Sequence, residues 1–148
     1  MHLTPEDLQM IVRLSLATLL GSLVGLEREI HGKVAGLRTH SLVSLGSALM
    51  MVLSIDVYAA YRGLAPVDPS RIAAQVVSGI GFLGAGAIIR FPTGITGLTT
   101  AASLWVVAGI GLACGAGFLK PAFVTSLLVL VVLVVFSRIG RVLGWKDV

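Results

Sequence analysis

The first feature that could carry chemistry is a dense group of charged side chains beside the first long apolar stretch. It consists of Glu27, Arg28, Glu29, His31, Lys33 and Arg38. Carboxylates and guanidinium groups form ion pairs, and breaking such a pair is costly only where it is buried. Two interpretations stay open: a solvated loop, or a buried network that is structural or is recognised by a partner. In a buried network, the candidate partners of Glu27 are Arg38, Arg90 and a helix start at Thr99 and Thr100.

A second set of polar side chains recurs at helical spacing further along the chain. Arg71, Gln75 and Ser78 fall on the same helix face as Phe82. A polar stripe inside an apolar helix usually faces protein or a cavity rather than lipid. The stripe therefore predicts either hydrogen bonds between helices or a polar path that opens at one end. From the two sets together we predict a functional charge network made of Glu27, Arg28, Arg38, Arg71, Gln75 and Arg90.

Asp56 is the one carboxylate well inside an apolar stretch, and it suggests either an ion pair or a cation site. Arg13 is a candidate partner because it lies at a similar depth in another stretch. Mg²⁺ prefers oxygen ligands and keeps several waters, so Asp56 with Gln75, Ser54 or carbonyl oxygens is a weak candidate metal site. The histidines lack cysteine partners, so we expect no transition-metal site and no cofactor other than Mg²⁺.

Glycines recur inside the apolar stretches rather than between them. Gly79, Gly81 and Gly84 match the G-x-G-x-x-G spacing of dinucleotide loops, but that motif also needs a preceding strand and a following helix. Small residues within apolar helices let neighbouring backbones approach closely. A break in the third helix, which would mark an ion or substrate site, is the alternative. We predict close helix packing at Gly21, Gly25, Gly79, Gly81, Gly84, Gly86, Gly111 and Gly115.

The composition shows what kind of protein must position these residues. Of 148 residues, 56% are hydrophobic and 12% are charged, about half the charged fraction of a soluble domain. A membrane span needs about 20 apolar residues, and the single domain 1–148 offers five candidates. They are 8–26, 40–60, 71–90, 98–118 and 121–138. The predicted fold class is all-α integral membrane, with the third and fourth helices packed at the centre through small residues and the fifth facing lipid.

The distribution of lysine and arginine predicts the orientation of the helices. The cytoplasmic set is Arg28, Lys33, Arg38, Arg90, Arg138, Arg141 and Lys146, and the outer set is Arg62, Arg71 and Lys120. Because cytoplasmic loops carry the excess positive charge, the N-terminus is predicted outside and the C-terminus inside. Thr39 would then cap the second helix and Thr99 or Thr100 the fourth, at the cytoplasmic face.

A weak internal repeat links the two halves of the chain. At an offset of 61 residues it pairs Gly36 with Gly97 and Leu37 with Leu98. It suggests that the first two helices form a hairpin that the third and fourth repeat in the same orientation.

Two function classes find little support in the sequence. The net charge of +4 is not gathered into a basic run with interleaved aromatic residues, so we expect no nucleic-acid partner. No nucleophile–base pair is evident, because Ser78 and Ser103 have no histidine at a matching depth. We therefore expect no enzyme.

Together, these segments resemble the MgtC/SapB family of bacterial inner-membrane proteins. The stretches that match are Gly25-Leu26-Glu27-Arg28-Glu29, Ala35-Gly36-Leu37-Arg38-Thr39, Ser70-Arg71-Ile72-Ala73-Ala74-Gln75 through Arg90, and Gly97-Leu98-Thr99-Thr100-Ala101-Ala102-Ser103-Leu104-Trp105. They follow one another over 20–118, whereas the fifth stretch matches only in character.

The resemblance implies a multi-pass domain of the inner membrane that regulates growth under magnesium limitation and stress, and virulence in pathogens. It implies a non-enzymatic role exerted through membrane protein partners, of which the F-type ATP synthase is one, with a magnesium or other cation channel or transporter as the alternative. Longer members add a cytoplasmic domain resembling ACT domains, which this short form is expected to lack. Besides membrane lipid, we expect a second copy as partner, in a homodimer formed through glycine-rich faces.

Overall fold

Helices account for most of the computed structural model, which describes residues 3–92 and 94–143, with only the backbone at residue 141. Lys146 and the side chain of Arg141, both counted above, lie outside the described residues. The elements are α1 (Pro5–Ile30), α2 (Leu37–Tyr61), α3 (Arg71–Ala87), β1 (Ile89–Phe91), β2 (Gly94–Thr96), α4 (Leu98–Gly115), α5 (Leu119–Val131) and α6 (Ser137–Val142). A π-helical turn, Val132–Phe136, joins α5 to α6. The predicted all-α membrane class is confirmed.

Four helical segments are long and apolar enough to cross a membrane, namely α1, α2, α4 and Leu119–Gly140. α3 is apolar but has only 17 residues, about 25 Å at 1.5 Å per residue and short of a hydrocarbon core of about 30 Å. The third predicted segment, 71–90, is therefore wrong at its end. The chain turns extended at Ile88 and forms an antiparallel hairpin in which Arg90 pairs with Ile95. The predicted orientation, N-terminus out, stays a prediction.

α4 is the central helix of the bundle. It packs against α1, α2, α3 and α5, and half of its most apolar window is buried, compared with 17% for the last segment. The expectation that the third helix is also central is wrong. α3 buries only Ile80 and Gly84, because it contacts the bundle along one narrow face, where Gly84 packs on Ala101 of α4.

Glycines allow α1 and α4 to touch α2 through their backbones. A Cβ at Gly25 would lie 2.8 Å from the Cα of Leu37, and one at Gly21 would lie 2.6 Å from the Cβ of Ser44. On α4, a Cβ at Gly111 would overlap the carbonyl oxygen of Ser44, and one at Gly115 would lie 2.8 Å from the Cβ of Met51. A larger side chain at these positions would therefore force the helices apart.

Three of the other predicted packing glycines do not pack within the chain. A Cβ at Gly79, Gly81 or Gly86 would meet nothing within 4 Å among the described residues. The prediction of close packing for these three is wrong within a single chain. The reason is that they point away from the face of α3 that carries Ile80 and Gly84.

The predicted threonine caps are also wrong. α2 begins after Gly36 and α4 after Gly97, and neither helix receives a side-chain cap from its own N-cap residue. Thr39, Thr99 and Thr100 lie inside the first turns instead. Two local causes set these starts: Glu29 Oε2 already accepts from the N–H of Leu37 at 2.7 Å, and at Gly97, with φ +89°, a side chain would overlap the carbonyl of Ala87. The 61-residue offset thus pairs two equivalent helix starts.

Candidate functional site

Polar side chains gather at one end of the bundle, which we call the hairpin end. It comprises the last turns of α1, the first turns of α2 and α4, and the hairpin Ile89–Thr96. Gly21 and Gly25 hold α1 against α2, so the next turn of α1 directs its charged residues into the bundle. Glu27 is 8% and Arg28 4% exposed, and both belong to the buried interior. The loop residues of the sequence cluster are thus partly buried rather than wholly solvated.

Arg28 links α1 to α4. Its Nη1 lies 3.6 Å from Glu27 Oε2, and its Nη2 donates to the hydroxyl of Thr100 at 3.4 Å. His31 Nδ1 lies 3.0 Å from Glu27 Oε1, so Glu27 has two cationic neighbours when His31 is protonated. Among the described residues, Glu27 Oε2 and Arg28 Nε have no hydrogen-bond partner. The pair is therefore held by charge and burial more than by direct hydrogen bonds.

A second polar contact at the hairpin end joins α2 to α4. His40 is fully buried, and its Nε2 lies 3.0 Å from the hydroxyl of Ser103. Its Nδ1 lies 2.9 Å from the carbonyl oxygen of Gly36. The expectation that Ser103 has no histidine at its depth is wrong, because α2 and α4 start at the same end of the bundle and run side by side.

The chemistry available to this serine–histidine contact is narrow. The Ser103 hydroxyl lies 2.8 Å from the carbonyl oxygen of Thr100 as well as 3.0 Å from His40 Nε2, and its single proton can be donated to only one of them at a time. Both side chains are buried, and neither lines the cavity described below. The contact therefore satisfies a buried imidazole and ties two helices together.

The other members of the predicted charge network do not join this cluster. Arg38 and Arg90 are exposed at the hairpin end, and Arg71 and Gln75 are exposed on α3. None of the four side chains forms a hydrogen bond or ion pair with the part of the chain that the structure describes. The six-residue network is corrected to a buried Glu27–Arg28 pair, because α3 turns its polar stripe outward and the side chains of Arg38 on α2 and Arg90 on β1 are exposed.

Asp56 and Arg13, at the opposite end, do not pair either. Arg13 donates to the carbonyl oxygen of Gly115 at 3.1 Å, and Asp56 is exposed. Within residues 3–92 and 94–143, no three His, Cys, Asp or Glu side chains are grouped as metal ligands. At the same end, hydrogen bonds from the Ser70 hydroxyl and N–H, at 2.7 and 2.8 Å, lower the pKa of the exposed Asp68 carboxyl.

Comparison with known proteins assigns the family. Residues 14–142 match the MgtC family. Over 133 residues the chain is 47% identical to YhiD of Escherichia coli K12, named as a candidate magnesium transporter, with 88% of this chain and 62% of that protein covered. It is 41% identical to SapB of Bacillus subtilis over 143 residues, covering 93% of this chain and 61% of SapB.

A third relative is MgtC of Salmonella typhimurium LT2, 47% identical over 120 residues, with 81% of this chain and 49% of that protein covered. The chain thus spans 49% to 62% of the length of these relatives. No solved structure gives a significant match. With a family match over most of its length and relatives of this similarity, the chain belongs to the MgtC family of multi-pass membrane proteins.

Proposed function

We propose that this chain is a non-enzymatic regulatory protein of the bacterial inner membrane that supports growth under magnesium limitation and stress, including virulence in pathogens. It acts through other membrane proteins, and the F-type ATP synthase is one candidate partner. Membership of the MgtC family and the magnesium-related name of YhiD support the link to magnesium. Four apolar helices of spanning length support a membrane location.

One observation carries the regulatory side of the proposal. Glu27 is the only buried carboxylate among the described residues, and it already pairs with Arg28 at 3.6 Å and lies 3.0 Å from His31. A transport path for a divalent cation needs oxygen ligands that are free to replace the ion's water. A carboxylate paired with an arginine instead fixes the hairpin end in one arrangement, and this end presents Arg38 and Arg90 to solvent, where a partner could bind them.

A magnesium or other cation transporter is the second candidate. It is favoured by the name of YhiD and by two exposed polar groups within helices, Asp56 on α2 and Gln75 on α3. In an assembly of several copies these groups could line a path between chains. The two candidates differ in one measurable property, which is ion flux through the purified protein.

The test combines growth with flux. A bacterial host that lacks its own family member receives this chain, its Glu27→Gln variant, or Glu6→Gln as a matched control at an exposed site at the opposite end. We expect the unchanged chain and Glu6→Gln to restore growth at low magnesium, and Glu27→Gln to fail. Removing one partner of a buried ion pair leaves the other charge unpaired and costs about 3 kcal/mol of stability. For this reason Arg28→Lys, which keeps the charge, is tested beside Glu27→Gln. The level of each protein is measured by immunoblot.

The same purified proteins are then placed in liposomes that contain a magnesium indicator. The regulatory proposal expects no more flux than protein-free liposomes give, and it expects membrane proteins to co-purify with the unchanged chain but not with Glu27→Gln. Saturable magnesium flux that is lost in Asp56→Asn or Gln75→Ala would replace the regulatory proposal by the transporter. Full rescue of growth by Glu27→Gln at normal protein levels would remove the role assigned to the buried pair.

We also propose that the chain forms a homodimer through the outward face of α3. Gln75, Gly79 and Gly86 lie on this face, at 100° per residue, opposite the buried Ile80 and Gly84. Exposed glycines allow another helix to approach closely, and a lipid-facing glutamine side chain is costly. A second copy of the same face would cover both features.

A further inference from the structure

The hairpin end encloses a cavity of about 430 Å³, within the range of small-molecule sites in proteins. Its lining includes the apolar side chains of Leu133 and Phe136, from the π-helical turn, and the positively charged side chains of Arg28 and Lys33. No carboxylate is among the described residues that line the cavity. Such a lining suits an anion that also carries, or lies beside, an apolar part.

Arg28, which lines this cavity, has N–H donors that lack a close hydrogen-bond partner. Its side chain is 96% buried, since only 4% is exposed. A guanidinium group has five N–H donors. Within the described part of the chain, Nε has no partner, and the two Nη groups have contacts of 3.4 and 3.6 Å only. Because buried donors are almost always satisfied in native proteins, this group calls for an acceptor inside the cavity.

The start of α4 presents further donors to the same cavity. Thr99 and Thr100 line it, and the first intrahelical bond of α4 is donated by Ala101, to Gly97 at 2.9 Å. The N–H groups of the three preceding residues have no partner within the helix, and no N-cap side chain covers them. A helix N-terminus with free N–H groups and a positive dipole end binds phosphate and similar anions.

The π-helical turn Val132–Phe136 contributes apolar side chains to the cavity lining. In a regular α-helix each N–H bonds four residues back, and a π-helical turn widens the helix locally. Such turns are found frequently at functional sites. Here the turn contributes Leu133 and Phe136 to a lining that also carries Arg28 and Lys33, which is the combination that a phosphate group attached to an apolar molecule would require.

We propose that this cavity is a phosphate-binding site, in which Arg28, Lys33 and the N-terminus of α4 hold the phosphate oxygens. Inorganic phosphate and the headgroup of an anionic phospholipid share this chemistry. Glu27 offsets part of the charge of Arg28, and Lys33 restores the positive excess. The site does not depend on the regulatory function, because binding is measured on the purified chain alone.

The test is binding to the full chain purified in a neutral detergent without phosphate buffer, followed by calorimetry at constant ionic strength. The two probes are inorganic phosphate and dihexanoyl phosphatidic acid, a short-chain lipid with a phosphate headgroup. Lys33→Gln removes one exposed charge from the cavity, and Lys120→Gln is the matched control, exposed at the opposite end. We expect Lys33→Gln to weaken binding about tenfold, the loss typical of one hydrogen bond to a charged group, and Lys120→Gln to leave it unchanged.

The outcomes distinguish inorganic phosphate from a lipid headgroup as the ligand, and they also show whether the site exists. Saturable binding of phosphate identifies the free anion as a ligand, and binding of phosphatidic acid alone identifies a lipid headgroup. Arg28→Lys keeps the charge but loses the planar fork of donors, so it should also weaken whichever probe binds. If neither probe binds to helical, monodisperse protein, or if Lys120→Gln weakens binding as much as Lys33→Gln, the site does not exist as proposed.

Discussion

Buried polar side chains do most to define the hairpin end. Glu27, Arg28, His40 and Ser103 are all less than 9% exposed, in a bundle whose other buried residues are mainly aliphatic. A polar group removed from water costs free energy unless it finds a partner. Each of these four side chains has one, and the partners connect α1, α2 and α4. The polar contacts therefore fix how three helices meet at this end.

The contact between His40 and Ser103 gives a test at the residue scale. Ser103→Ala would leave the buried Nε2 of His40 without its partner, so we expect a loss of about 1–3 kcal/mol in the free energy of unfolding. Ser126→Ala is the matched control: Ser126 is also buried, but its hydroxyl donates only to Ala122 of its own helix, at 2.8 Å. Unfolding by SDS, followed by circular dichroism, measures both. Equal losses in the two variants would mean that the contact with His40 contributes nothing.

The sequence could predict the charges at this end but not their pairing. The density of charged residues after the first apolar stretch indicates a network around Glu27, but the choice between Arg28, Arg38 and Arg90 as partner depends on where each side chain points. The sequence predicts Thr100 at a helix start, and Arg28 is the residue that reaches it, at 3.4 Å. The sequence gives no direct sign of the contact between His40 and Ser103, although the equivalent helix starts at Gly36 and Gly97 put the two residues at similar depth.

At the scale of elements, helix lengths and ends follow from glycine positions. Gly97 has φ +89° and lies against the carbonyl of Ala87, so the chain reverses there and α4 begins at once. Hydropathy alone extended the third helix to residue 90, because Ile88, Ile89 and Phe91 are as apolar as the helix before them. A short, mainly apolar strand cannot be distinguished from a helix end by composition.

Two glycines of α4 test the packing between elements. Gly111→Ala puts a methyl group onto the carbonyl oxygen of Ser44 on α2, and we expect it to cost about 1–3 kcal/mol of stability through overpacking. Gly109→Ala lies two residues earlier, with open space around its Cβ, and should stabilise the helix by about 0.5–1 kcal/mol. Thermal unfolding of the two variants in detergent compares them. A stable Gly111→Ala protein would mean that α2 and α4 are not in backbone contact.

At the scale of the whole molecule, the bundle is asymmetric. α4 lies at its centre, whereas α3 lies at its edge and buries only a small part of its own surface. Sequence reasoning expected α3 to be central because it is rich in small residues, and small residues favour helix contacts. Within one chain, however, no described residue lies within 4 Å of a Cβ placed at Gly79, Gly81 or Gly86, so the predicted helix contact is absent there. The homodimer proposed above would account for both the sequence pattern and the exposed face.

The proposed dimer predicts a cross-link. Gly79→Cys adds a thiol where a Cβ meets no atom of the described residues within 4 Å, so it should not disturb the chain. If two α3 faces cross there, the Cα atoms come within the roughly 7 Å that a disulfide requires, and mild oxidation of membranes should give a dimer on a non-reducing gel. Leu127→Cys on α5, 63% exposed, is the matched control and should stay monomeric. The native Cys114 is fully buried and adds no background. Cross-linking of Leu127→Cys alone would move the interface from α3 to α5, and the polar stripe of α3 would then have to face a different partner.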